Sequence, residues 1–202
     1  MTHRSLFASG LFVLALALPV AASAQHGGRI DVPEVPAILM VEEGNVPFLQ
    51  TRAYGTQNYF CAPKAAPATG VAWKLYGPQA TLYTPNAPMQ VATHFLSPNP
   101  DEQDTPRATW MHSHDGSAVW AALAQQAPSP TGAINWLLLK KVGTAEGPIG
   151  GSLLAQTTFV HRLNTEGGGA PAAGCATTED LGKLALVPYS TDYFFYKAGR
   201  RQ

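Results

Sequence analysis

The sequence carries little charge, and what it has is balanced: 13 Lys and Arg stand against 13 Asp and Glu in 202 residues, a formal net charge of zero. The basic residues are scattered singly apart from the pairs Lys140-Lys141 and Arg200-Arg201. No basic stripe exists that would neutralise successive phosphates, so composition speaks against a nucleic-acid partner. Cysteine is equally scarce. The two present, Cys61 and Cys175, form no CxxC and have no histidine within a few positions, which removes a zinc knuckle. Also missing are a GxGxxG turn opening a helix, required for a dinucleotide fold, and the GxSxG elbow of an α/β-hydrolase. No stretch sustains a 3.6-residue apolar period and no internal repeat is visible, so neither a helical bundle nor a solenoid is expected.

One long apolar run is present. It extends from Leu6 to Val20, follows Arg4 and ends in Ala22-Ser23-Ala24. It is shorter than the ~20 residues a membrane-crossing helix needs, and the small residues after it suit a signal peptidase. Residues 1–24 therefore read as a secretory signal peptide. Residues 25–202 read as one exported β domain, periplasmic or extracellular, with no membrane span. In an oxidising compartment the two cysteines, one in each half of the chain, are expected to pair. A Cys61 to Cys175 bridge closing so long a loop stabilises by roughly 4 to 5 kcal/mol in the chain-entropy model.

Downstream of the leader, short apolar or alternating runs are punctuated by Gly and Pro clusters about every ten residues. That rhythm predicts a mainly β domain with little helix, an antiparallel sandwich or a closed barrel. Strands are expected near 37–41, 48–54, 57–61, 71–76, 80–83, 90–95, 108–114, 117–123, 134–140, 153–163 and 193–196. A short helical turn is expected from Thr177, with Thr177 capping and Asp180 answering it.

The densest local pattern is TWMHSHDGSAVWA, residues 109–121. Asp115-Gly116 predicts a two-residue type I′ hairpin, which needs positive φ at both central positions. That register sets His112 opposite Val119 and Trp110 opposite Ala121, with His112 and His114 on one face. A His-x-His pair on a strand suits zinc or copper through neutral imidazoles. His94, His161 and Asp115 are candidates to complete such a set. The competing reading is a solvated hairpin tip.

An ordered series of residues spans nearly the whole exported chain: Gly55, Gln57, Tyr59 and Cys61; Trp73, Gly77-Pro78, Ala80; His94, Trp110 and Asp115-Gly116-Ser117; Trp136; Arg162, Thr165, Gly167-Gly168 and Gly174-Cys175; Val187-Pro188-Tyr189, Tyr193 and Phe195-Tyr196. In this the chain resembles the uncharacterised secreted family catalogued as domain of unknown function 3455. The resemblance implies export and a common fold, and no established activity. Residues 97–108 form a longer stretch than that family's pattern has. Some members carry the label malate dehydrogenase, which the missing dinucleotide fingerprint does not support here.

The polar residues shared with that family that have no obvious core role are His94, Asp115, Ser117, Arg162, Thr165 and Tyr189. With Trp110 they make a candidate pocket, in which Asp115 could orient a histidine and Ser117 act as nucleophile. Turn chemistry alone also accounts for Asp115 to Ser117, and Arg162 could bridge a carboxylate. The tryptophans and tyrosines raise a glycan partner as well. Two functional classes thus stand side by side. One is a ligand-binding or surface-associated module for a small molecule or glycan. The other is a metal-dependent or hydrolytic enzyme using the His94, His112, His114 and Asp115 region. An enzyme should gather these groups in one concave pocket.

Overall fold

The computed structural model describes residues 29–199; the leader reading, residues 1–24, lies outside them. Eight strands follow one another: β1 (Asn45–Pro63), β2 (Val71–Tyr83), β3 (Gln90–Asn99), β4 (Thr105–His112), β5 (Ala118–Ala127), β6 (Trp136–Ala145), β7 (Phe159–Gly167) and β8 (Leu184–Ala198). Each pairs antiparallel with the next, and β8 returns to β1, so the sheet is a closed barrel. Closure leaves no continuous sheet edge.

The long first strand makes closure possible. It pairs with β8 from Asn45↔Ala198 to Phe60↔Leu184 and with β2 from Arg52↔Tyr83 to Pro63↔Val71. Gly55 allows the tight seam at its centre, because a Cβ there would run into Ala80 and the Gln79 carbonyl. Side chains alternate across the sheet. The inward set, including Ala53, Leu82, Trp110, Val119, Leu139, Val160, Tyr193 and Phe195, makes the core. On the outward face of β1 and β8, Arg52 pairs with Asp192 and Glu166.

Several predicted elements merge or move, each for an identifiable reason. The predicted strands 71–76 and 80–83 are one strand, because Gly77-Pro78 sits at a register shift opposite Asn58/Tyr59 instead of ending the ladder. β8 begins at Leu184, well before 193. Its Pro188 is tolerated because regular pairing with β7 ends at Tyr189; beyond it only the Pro188 carbonyl is used, accepting from the Gly168 amide (3.0 Å), and no donor is required. The strand expected at 37–41 is instead a single 3-10 turn, Ala37–Leu39. Pro33 and Pro36 withhold the amides a ladder would need. This N-terminal segment lies over the outer face, where Leu39 joins Trp136, Leu138, Phe159, Phe194 and Tyr196. His161 clamps it there: Nε2 donates to the Leu39 carbonyl (2.7 Å), and the Tyr196 hydroxyl lies 3.1 Å from Nδ1. Burial pushes the His161 imidazole pKa down. The capped turn at Thr178–Asp180 forms as expected, with Thr177 and Asp180 exchanging bonds.

The β4 to β5 connection is a correction. Met111 faces Ala118, Trp110 faces Val119 and Ala108 faces Ala121, with residues 113–116 in the loop. Among the described residues here only Gly116 has positive φ (73°). Asp115 does not supply the second left-handed position a type I′ turn needs. Its carboxylate instead accepts the Ser117 amide (2.8 Å), an Asx-type turn that holds a longer loop. The displacement is two residues, so Trp110 keeps its predicted face.

Candidate functional site

In an up-and-down barrel the connections alternate between the two ends, and here the ends differ. One carries residues 84–89, 113–117 and 146–158. There Asp115 accepts from the Ser117 hydroxyl (2.6 Å) and the Leu153 amide (3.1 Å), and Ser117 Oγ accepts from the Leu154 amide (3.0 Å). These bonds seat Leu154 in the lumen core. Gly147 and Gly151 pass so close to Asp115 that a Cβ on either would collide with it. Burial alone would raise the Asp115 carboxyl pKa, yet the bonds from Ser117, Leu153 and His112 hold it well below the usual carboxylate range. The Asp115-Gly116-Ser117 sequence is thus the latch of a plug that closes this end.

The opposite end carries residues 64–70, 100–104, 128–135 and 168–183. The last of these is tied down by the Cys61–Cys175 disulfide (Cα to Cα 5.4 Å), by Trp73 Nε1 donating to the Ala173 carbonyl (3.0 Å), and by the Tyr59 hydroxyl donating to the Gly168 carbonyl (2.7 Å). Toward this end the lumen holds a cavity of about 180 Å³. Leu75, Pro78, Leu96, Ala108, Leu137 and Leu139 form its apolar walls; Gln57, His94, Trp110, Arg162 and Tyr193 are its polar members.

His94 is the best-positioned of these. Its ring stacks on Trp110 at 4.3 Å and 6°, and Tyr193 stands edge-on to both at 5.3 Å. Nδ1 donates to the Thr109 carbonyl (2.8 Å), which leaves the lone pair on Nε2. Burial drives the His94 pKa down to about 3; the Thr109 bond opposes this and the Arg162 charge adds to it. The imidazole is therefore neutral at physiological pH. Around it, Gln57 Nε2, Trp110 Nε1 and the Tyr193 hydroxyl are buried without a partner in good bonding geometry, as is the Tyr189 hydroxyl nearby, which Gln57 and Tyr193 both approach. Each orphaned group costs about 1 to 3 kcal/mol if nothing satisfies it. Arg162 donates from Nε and Nη2 to the Asn135 carbonyl (3.2 and 2.8 Å). Among the described residues it forms no ion pair, so the expected bridge from Arg162 to a carboxylate is absent.

A family model described as protein of unknown function (DUF3455) matches residues 42–197, a span that contains nearly all of the barrel. The chain belongs to that family. No curated protein and no solved structure matches it.

Within this DUF3455 barrel the candidates from sequence separate. His94, Trp110 and Arg162 meet in the cavity, and Tyr189 lies in the same core cluster. Thr165 faces elsewhere, donating to the Ile134 carbonyl (2.6 Å) and so fastening β7 to the 128–135 connection. Asp115 and Ser117 are in the latch at the far end. His112 lies beside Asp115, Nδ1 to Oδ1 2.9 Å, and His114 is exposed in the loop. Among the described residues no group of three or more His, Cys, Asp or Glu is placed to hold a metal ion. The tryptophans form no exposed platform: Trp110 and Trp136 are buried, and Trp73 and Trp120 turn their indole nitrogens onto Ala173 and Ser97. Sequence reasoning passed over Gln57 and Tyr193 as pocket residues. The available signal was alternation, since Gly55, Gln57 and Tyr59 share one face, as do Tyr189, Tyr193 and Phe195.

Proposed function

We propose that this domain is an exported ligand-binding module that takes a small molecule into the lumen cavity between His94, Trp110, Tyr193 and Arg162. The observation that carries the reading is that three of the eight buried side-chain polar atoms without a bonded partner among the described residues, on Gln57, Trp110 and Tyr193, line one apolar-walled cavity, beside a cation without a counter-ion. Native interiors satisfy their polar groups, so several orphans facing one cavity mark where a ligand supplies the missing acceptors. A closed eight-stranded barrel suits this work, being just wide enough to hold one small ligand. The hydrolytic alternative is less well supported, because the Ser117 hydroxyl is buried and already engaged with Asp115 and the Leu154 amide. Export rests on the leader-like residues 1–24 and on the disulfide, and intact mass of the mature product beginning at residue 25 is its check.

Filling the cavity tests the binding reading. Ala108→Leu places three further carbons against Leu137 and Leu139 on the lumen side. Compounds from a small-molecule library that raise the melting temperature of the wild type should leave that of Ala108→Leu unchanged. Hits that stabilise both proteins equally would move the binding site out of the lumen.

A further inference from the structure

We infer that the ligand of the lumen cavity is a small carboxylate with an apolar body. This rests on the proposal that the cavity binds a ligand, and adds its chemical class.

The polar side of the cavity carries mostly donors, with the His94 Nε2 lone pair as an acceptor among them. Gln57 Nε2, Trp110 Nε1 and the Tyr193 hydroxyl belong to residues 97% or more buried and have no partner in good bonding geometry, although Gln57 and Tyr193 approach the Tyr189 hydroxyl and Tyr193 also approaches Arg162. Burial raises the Tyr193 hydroxyl pKa, so it keeps its proton. Arg162 brings a full positive charge, and Nη1 donates to no described residue. The nearest imidazole, His94, is held neutral and so adds no second positive charge beside it. A half-buried guanidinium without an acid is unfavourable by itself, and charge-assisted bonds to an anion are about twice as strong as neutral ones. The anion must also carry carbon. Leu75, Leu96, Leu137 and Leu139 line the rest of the space, and a bare phosphate or sulfate would leave those walls against water or nothing. A planar carboxylate joined to a short aliphatic or aromatic group meets both requirements, with its oxygens toward Arg162 and Tyr193 and its body against the leucines.

The test is a calorimetric titration of the full exported chain with butyrate and benzoate, with butyramide and benzamide as neutral counterparts and inorganic phosphate as a bare anion. It is run on the wild type, Arg162→Met and Arg162→Lys, each first checked for cooperative thermal unfolding. Wild type should bind the carboxylates about 10- to 100-fold more tightly than the amides. Arg162→Met should bring the carboxylates down to the amide level without changing the amides, and Arg162→Lys should recover part of the difference. Amides binding wild type as tightly as their acids would overturn the carboxylate assignment while leaving the lumen as a binding site. Phosphate binding as tightly as benzoate would overturn the need for an apolar body. No binding by any compound would defeat this inference together with the proposal beneath it.

Discussion

Acid should weaken this fold well before its carboxylates titrate, and His94 is the reason. The imidazole is buried against Trp110 and Tyr193 with only Arg162 as a nearby charge, so its folded pKa lies at about 3, against 6.5 in the unfolded chain. Between those values the unfolded chain holds a proton that the folded chain cannot. Lowering the pH therefore favours unfolding, by about 1.4 kcal/mol per pH unit. From pH 7 to pH 4 the loss amounts to roughly 3 kcal/mol, a large share of the marginal stability of a domain. Asp115 and Asp180 have folded pKa values below normal and lose their stabilisation chiefly below pH 3.8, whereas Glu102, held low by its bonds from Arg107 and Asn99, begins to lose its own below 4.5 whatever residue stands at position 94. His161 acts in the same direction as His94, which makes a variant comparison necessary. His94→Phe keeps a ring against Trp110 and removes the titration. Urea denaturation at half-unit steps from pH 7 to 4 should show the wild type losing roughly 3 kcal/mol more than the variant. Parallel stability curves for the two proteins would refute the argument.

Replacing both Cys61 and Cys175 by alanine should lower stability by up to about 5 kcal/mol, since the bond spans 114 residues, and urea melts would read the loss. An unchanged midpoint would refute this, and would mean that the unfolded chain is no less restrained without the bond. Asp115→Ala leaves the Ser117 and Leu153 amides without an acceptor and should cost about 2 to 3 kcal/mol. Amide exchange should then quicken at 113–117 and 147–154 while ligands of the lumen still bind; loss of binding with stability intact would give Asp115 a direct role.

The mainly β fold, the disulfide and the capped turn at Thr177 were legible because each has a plain sequence signal: turn residues, two lone cysteines behind a leader-like run, and a capping pair. The choice between a sandwich and the closed barrel was not. It depends on β1 running unbroken through Gly55, where a glycine that looks like a break is instead the residue that lets two strands touch. The Asp115-Gly116 turn misled for a related reason. Its register depends on Leu153 and Leu154, far along the chain, which make the Asp115 carboxylate and Ser117 hydroxyl more useful as a latch than as a tight turn. For the site, His94, Trp110 and Arg162 could be picked out as polar or aromatic residues without a partner in sequence. Gln57 and Tyr193 were signalled only by alternation, which gives each a shared face with core residues but not the cavity wall that the closed barrel makes of it.

The indole N–H of Trp110 offers the most direct measurement, because it is buried in the lumen without a partner, whereas those of Trp73 and Trp120 are already bonded. Proton–nitrogen NMR spectra recorded during a benzoate titration should shift the Trp110 indole signal strongly and leave the Trp73 and Trp120 signals in place. A saturable shift confined to the other tryptophans, with Trp110 unmoved, would contradict a ligand site inside the barrel.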